Sequence, residues 1–103
     1  MPNDITTHVH RIVTAGPTLL YTETVAILDV RWVSPSATKG DQVVIEGADG
    51  RILWETVADG DCYIERDYIG NVGVGGYRVP ALDSGTLYVR IGDPDWEWYW
   101  PLG

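Results

Sequence analysis

The stretch Gln42-Val43-Val44-Ile45-Glu46-Gly47-Ala48-Asp49-Gly50-Arg51-Ile52-Leu53-Trp54-Glu55-Thr56-Val57 decides the fold class. Two runs rich in β-branched and aromatic residues flank a short connection that ends in Asp-Gly, a pair suited to the backbone of a tight hairpin. In the second arm, side-chain alternation sets Ile52 and Trp54 on one face and Leu53, Glu55 and Val57 on the other. A helix would need apolar residues three and four positions apart, and no window longer than about ten residues sustains that period.

Upstream of the hairpin, residues 25–33 (Val-Ala-Ile-Leu-Asp-Val-Arg-Trp-Val) form the clearest single strand. Strict alternation places Ala26, Leu28, Val30 and Trp32 on one face, and Val25, Ile27, Asp29, Arg31 and Val33 on the other. Apolar residues on both faces of its first half predict a central position in a sandwich. Leu28, Val30 and Ile45 are expected in the core. The connection from Ser34 to Asp41 is rich in turn residues. Further strands are predicted over residues 9–15, 19–22, 62–64, 77–79 and 86–91, with 70–76 as a glycine-rich loop and Pro80 confining its strand to an edge. The expected fold is all-β, an antiparallel β-sandwich or jelly roll of about seven to eight short strands. Residues 1–103 are read as a single β domain, with 92–103 an aromatic C-terminal tail.

A chain of 103 residues is one domain by size. At that size it buries only about two-thirds of the surface exposed by its unfolded chain, so partner subunits are an expected source of further stability. Cys62 is the only cysteine, which excludes a disulfide within the chain, and it is read as a half-buried structural residue. Hydrophobic residues make up 45%, enough for a packed core. The aromatics are five Trp and six Tyr with no Phe, a bias toward rings that carry a polar handle and suit interfaces. The net charge is −8, from fifteen acidic and seven basic residues. Such a balance opposes phosphate backbones and anionic lipids, so neither nucleic acid nor membrane is expected as a partner. No apolar run approaches the roughly 18 to 20 residues needed to cross a bilayer. Met1-Pro2-Asn3-Asp4 has neither the basic nor the apolar region of a signal peptide, so synthesis and residence in a cytoplasm are expected.

Candidate chemistry is sparse. Gly73-Val74-Gly75-Gly76 lacks the Gly-Lys-Ser/Thr ending of a phosphate-binding loop and reads as a turn that needs unusual backbone angles. His8 and His10 fall on the same side of a strand and could supply two metal ligands, but a polar strand face is the expected reading. The pairs Asp59/Asp61 and Asp93/Asp95 lie in turns, where Asp bonds its own backbone. No serine-nucleophile elbow or zinc-binding helix motif is present. No catalytic residue, metal or cofactor is therefore assigned, and no enzymatic activity is expected.

The most informative remaining segment is Asp95-Trp96-Glu97-Trp98-Tyr99-Trp100-Pro101. In an extended conformation Trp96, Trp98 and Trp100 share one side, while Glu97 and Tyr99 share the other. Three readings stay open: a last strand on the domain's own sheet, an anchor on a neighbouring subunit or partner, or a stacking platform for sugar rings.

The order Trp32-Val33-Ser34-Pro35, Gly40-Asp41-Gln42-Val43-Val44-Ile45, Asp49-Gly50-Arg51-Ile52-Leu53-Trp54-Glu55 and Leu82-Asp83-Ser84-Gly85-Thr86-Leu87-Tyr88-Val89 resembles small β-sandwich virion proteins of tailed bacteriophages, of the capsid decoration (cement) or head-fibre kind. The resemblance spans roughly residues 9 to 91 as a pattern of strands and turns, and the Trp-rich tail lies outside it. It implies a structural protein of the virion, made in the host cytoplasm. Such a protein is a homo-oligomer, with a trimer favoured, whose partners are its own copies and the major capsid protein or another virion protein. Trp96, Trp98, Tyr99 and Trp100 are the candidate interface anchors, and Arg31, Arg78 and Arg90 the candidate cations for pairing across that interface. The alternative is a carbohydrate- or receptor-binding tip module of a phage fibre.

Overall fold

Why the chain makes a sandwich is clearest at its second strand, which is hydrogen-bonded on both sides and apolar on the side facing the other sheet. In the computed structural model, residues 3–92 are described. The strands are β1 (Val9–Ile12), β2 (Val25–Ser34), β3 (Gln42–Gly47), β4 (Ile52–Val57), β5 (Tyr63–Gly73), β6 (Tyr77–Leu82) and β7 (Thr86–Gly92). They form a four-stranded sheet in the order β1-β7-β2-β5 and a three-stranded sheet in the order β4-β3-β6. Every pairing is antiparallel, and the described residues contain no helix. The fold is an all-β sandwich, as expected.

The core lies between the sheets. Ile12, Val25, Ile27, Val30, Trp32, Leu87, Val89 and Ile91 of the four-stranded sheet meet Val43, Ile45, Leu53, Tyr77 and Val79 of the other. Trp32 is fully buried, and its indole Nε1 donates to the Ser84 carbonyl oxygen at 2.8 Å, so its one polar group is satisfied. Where β4 and β5 meet, polar side chains bridge the sheets. Trp54 Nε1 donates to Asp67 Oδ2 at 2.9 Å, Thr56 Oγ1 to Glu65 Oε1 at 2.7 Å, and Asn71 Nδ2 to the Leu53 carbonyl at 3.1 Å.

Bulges overturn two of the expected face assignments. On β2, Ile27 is opposite Ile91 and Asp29 is opposite Arg90, so Leu28 is an extra residue against β7. The phase reverses there: Val25 and Ile27 share the core with Val30 and Trp32, and Leu28 is only half-buried. On β4, Leu53 is the extra residue between Trp54, opposite Ile45, and Ile52, opposite Glu46. Leu53 is buried, Trp54 packs against the core, and Ile52 is 48% exposed, so Ile52 and Trp54 do not share a face.

Element boundaries differ for identifiable reasons. β1 stops at Ile12 because the Asn3 Oδ1 accepts the Val13 and Thr14 amides, at 2.7 and 3.0 Å, in place of a strand partner. Residues 19–22 contribute an isolated bridge from Tyr21 to Tyr77, not a strand. β5 runs to Gly73, through most of the segment expected to be a loop, because Asn71, Val72 and Gly73 pair with Ile27, Ala26 and Val25. The turn itself is confined to the residues that follow, where Gly75 and Gly76 have φ of +79° and +110°.

Candidate interaction surface

The cross-strand registers determine what the four-stranded sheet shows on the side away from the core. Val9, Arg90, Asp29 and Tyr68 lie in one row across β1, β7, β2 and β5. Two residues along, Arg11, Tyr88, Arg31 and Arg66 form the next row. Thr86, Val33 and Ile64 continue it. Because side chains alternate, these residues share a face, while His10, Ile12, Val30, Trp32, Leu87 and Val89 occupy the core side.

This face has a composition unlike that of the chain. It gathers Arg11, Arg31, Arg66 and Arg90, four of the seven basic residues in the sequence. Asp29 is the one acidic residue in the rows, which leaves the face at a formal +3 against −8 for the whole chain. The face also exposes apolar area: Val9 is 43%, Ile64 64% and Tyr68 74% accessible. The Arg66 guanidinium carbon sits over the Tyr68 ring, 5.1 Å from its centroid, a cation–π arrangement.

Asp29 is the electrostatic centre of the surface. Its Oδ2 is 3.0 Å from Arg90 Nη2 and 3.6 Å from Arg66 Nη2. Both arginines are about half exposed, whereas the Asp29 side chain is 10% exposed. Neither guanidinium is aligned for a hydrogen bond, so Asp29 Oδ2 is buried without a donor. Asp29 lines a shallow depression together with Val9, Arg31, Arg66, Tyr88 and Arg90. The carboxylate is buried but both guanidinium groups are half exposed, so the cations remain accessible from solvent. Arg31 makes no ion pair among the described residues, while the charge of Arg11 also acts on Asp4. The depression can accept carboxylates through forked guanidinium contacts.

The expected interface residues are distributed unevenly. Arg31 and Arg90 fall on this face. Arg78 does not: it lies on β6 in the other sheet and bonds Glu46 through both Nε and Nη2, with Nε at 2.7 Å. Trp96, Trp98, Tyr99 and Trp100 lie outside the described residues. Arg11, Arg66, Tyr68 and Tyr88 were not singled out from sequence, because cross-strand register is needed to bring them together. The one local signal was the alternation Ile64, Arg66, Tyr68 within β5.

A second cluster corrects the reading of the two histidines. His8 is exposed, but His10 is fully buried and faces the core from β1. Its Nδ1 is 2.5 Å from the Tyr77 hydroxyl across the sandwich, and its ring stacks on Tyr77 and tilts against Tyr21. His10 is therefore a cross-sheet tie and not part of a polar face. Burial is the main cause that holds its pKa below the ordinary imidazole value, and the nearby His8 charge acts in the same direction against Asp4. Burial likewise pushes the Tyr77 phenol up. Among the described residues, no group of three His, Cys, Asp or Glu side chains is placed to hold a metal ion.

Cys62 also departs from expectation. It is exposed, with φ of +55°, in the turn before β5. At the polar bridge between β4 and β5, Glu65 accepts from Thr56 and from the Tyr63 hydroxyl at 2.9 Å. Burial, aided by Asp67, raises the Glu65 carboxyl, and the bond to Glu65 pushes Tyr63 up to about 12. These groups are committed to joining the sheets.

Among known proteins, no family, no curated protein and no solved structure matches this chain.

Proposed function

We propose that this protein is a non-enzymatic assembly module. In the setting that the strand-and-turn resemblance implies, it is a bacteriophage virion protein that decorates or cements the capsid as a homo-oligomer. The outer face of the four-stranded sheet is its contact surface. One observation carries this reading: an acidic chain concentrates four of its seven basic residues beside exposed Tyr68, Ile64 and Val9 on a single sheet face. Tyr and Arg are the side chains most often responsible for binding energy at protein interfaces, and a charge-segregated surface steers acidic copies together. The acidic remainder keeps assembled particles mutually repelling and soluble.

Sedimentation equilibrium of the full chain tests the reading. Arg31→Glu combined with Arg66→Glu should weaken self-association or attachment to the acidic partner surface by about tenfold or more, without loss of the β-sheet spectrum. A wild-type chain that stays monomeric at every concentration, and binds no protein surface through this face, would reject the assembly reading. A monomer whose Tyr68 is protected by acidic glycans would favour a receptor-binding tip, for which the 74% exposed Tyr68 beside Arg66 offers a stacking surface.

A further inference from the structure

The geometry points to a specific occupant for this face: the acidic, aromatic segment Asp93–Pro101 of a second copy of the chain. This rests on the assembly reading above and adds to it the identity of the contacting segment.

The face calls for a ligand with two properties, and the segment has both. The arginines require carboxylates, and the segment supplies Asp93, Asp95 and Glu97 with no basic residue. The guanidinium planes, exposed Tyr68 and half-buried Tyr88 favour aromatic rings, and the segment supplies Trp96, Trp98, Tyr99 and Trp100.

The source is a second copy because of where the segment begins. It follows Gly92, the last residue of β7, which is an interior strand of the same sheet. Gly92 lies two residues past Arg90, so the segment would cover its own face only by reversing direction, whereas the face of a second copy requires no reversal. A tail that leaves one copy and enters the face of the next is a heterologous contact. Such contacts close into rings when the rotation permits, which is compatible with a trimer.

Charge exchange in the full-length protein tests this. One variant carries Arg31→Glu and Arg66→Glu on the face; the other carries Asp95→Lys and Glu97→Lys in the segment. Each alone should raise the dissociation constant of the wild-type oligomer by about tenfold or more. Mixing the two should restore association between unlike chains, since one retains a good segment and the other a good face. Neutral Arg31→Gln and Arg66→Gln, with unfolding midpoints measured for all variants, separate lost contact from lost folding. If face reversal dissociates the oligomer and segment reversal does not, the assembly reading stands and the segment is not its occupant. Failure of the mixture to associate also overturns the inference. A monomeric wild type whose Trp emission shifts on face reversal would place the segment on its own sheet, overturning the second-copy assignment. Oligomers indifferent to both variants would overturn the occupant and the face together.

Discussion

Gly76→Ala tests the architecture at the point where the sandwich holds its least regular connection. Gly76 has φ of +110°, and a Cβ built there would lie 1.8 Å from the Tyr21 carbonyl oxygen and 2.9 Å from Thr22 Cα. Both obstacles are backbone, so no side-chain rotation relieves them. The backbone strain of a non-glycine residue at such an angle costs about 1–3 kcal/mol. Moving Tyr21 also disturbs the bond from the Tyr77 amide to its carbonyl, at 3.0 Å, and the adjoining bond from the Leu20 amide to the Tyr77 carbonyl, at 2.9 Å. Each is worth about 0.5–1.5 kcal/mol. The expected loss is therefore about 2–6 kcal/mol, a large share of the stability of a small domain. Gly50→Ala is the control: φ is +87°, but nothing lies within 4 Å of the added Cβ, so only the strain applies. Urea unfolding followed by circular dichroism, with the slope checked for two-state behaviour, gives the difference. Losses for the two variants equal within about 0.5 kcal/mol would refute the close approach of Gly76 to Tyr21.

Two further outcomes follow from the corrected registers. Val30→Ala should cost about 1.5–3 kcal/mol and Leu28→Ala distinctly less, because Val30 is sealed and Leu28 is the half-buried bulge residue; the opposite order in urea unfolding would remove the bulge. Burial holds His10 below its unfolded pKa of 6.5, so the unfolded chain binds the proton more readily, and stability should be level above about pH 6.5 and decline as pH falls below it. Unfolding free energy measured across that range should lose part of its slope in His10→Phe and keep it in His8→Asn; equal slopes in all three proteins would contradict the buried imidazole.

The legible and illegible parts of this fold have physical causes. The hairpin around Gly47–Arg51 could be read because turn chemistry and β-branched runs are local signals. The turn at Ser34 and Pro35 was equally local. The bulges at Leu28 and Leu53 could not be read, since both are apolar in apolar runs and only the partner strand reveals the extra residue. The extent of β5 is hidden because, beside Tyr63 and Ile69, its inward side chains include Glu65, Asp67 and Asn71, which bond to β4 of the other sheet, so the segment lacks a clean apolar alternation. His10 was assigned to a polar surface because imidazole is more often solvated; its burial depends on Tyr77, 67 residues away. The basic face is a product of register. Arg31 and Arg90 were legible as candidate cations, but Arg11 and Arg66 join them only through pairing with β7 and β2, while Arg78 is directed to Glu46 on β3.

The central claim is that self-association covers the outer face of the four-stranded sheet, and thiol accessibility measures this directly. Val9→Cys in a Cys62→Ser background places a thiol at the rim of the arginine depression with little change in size, and Val74→Cys places one at a position that is 58% exposed outside these strand rows. Maleimide labelling rates should fall with rising protein concentration for Cys at position 9 and stay constant at position 74. Equal labelling of both thiols at every concentration, in samples that sedimentation shows to be associated, would contradict the account.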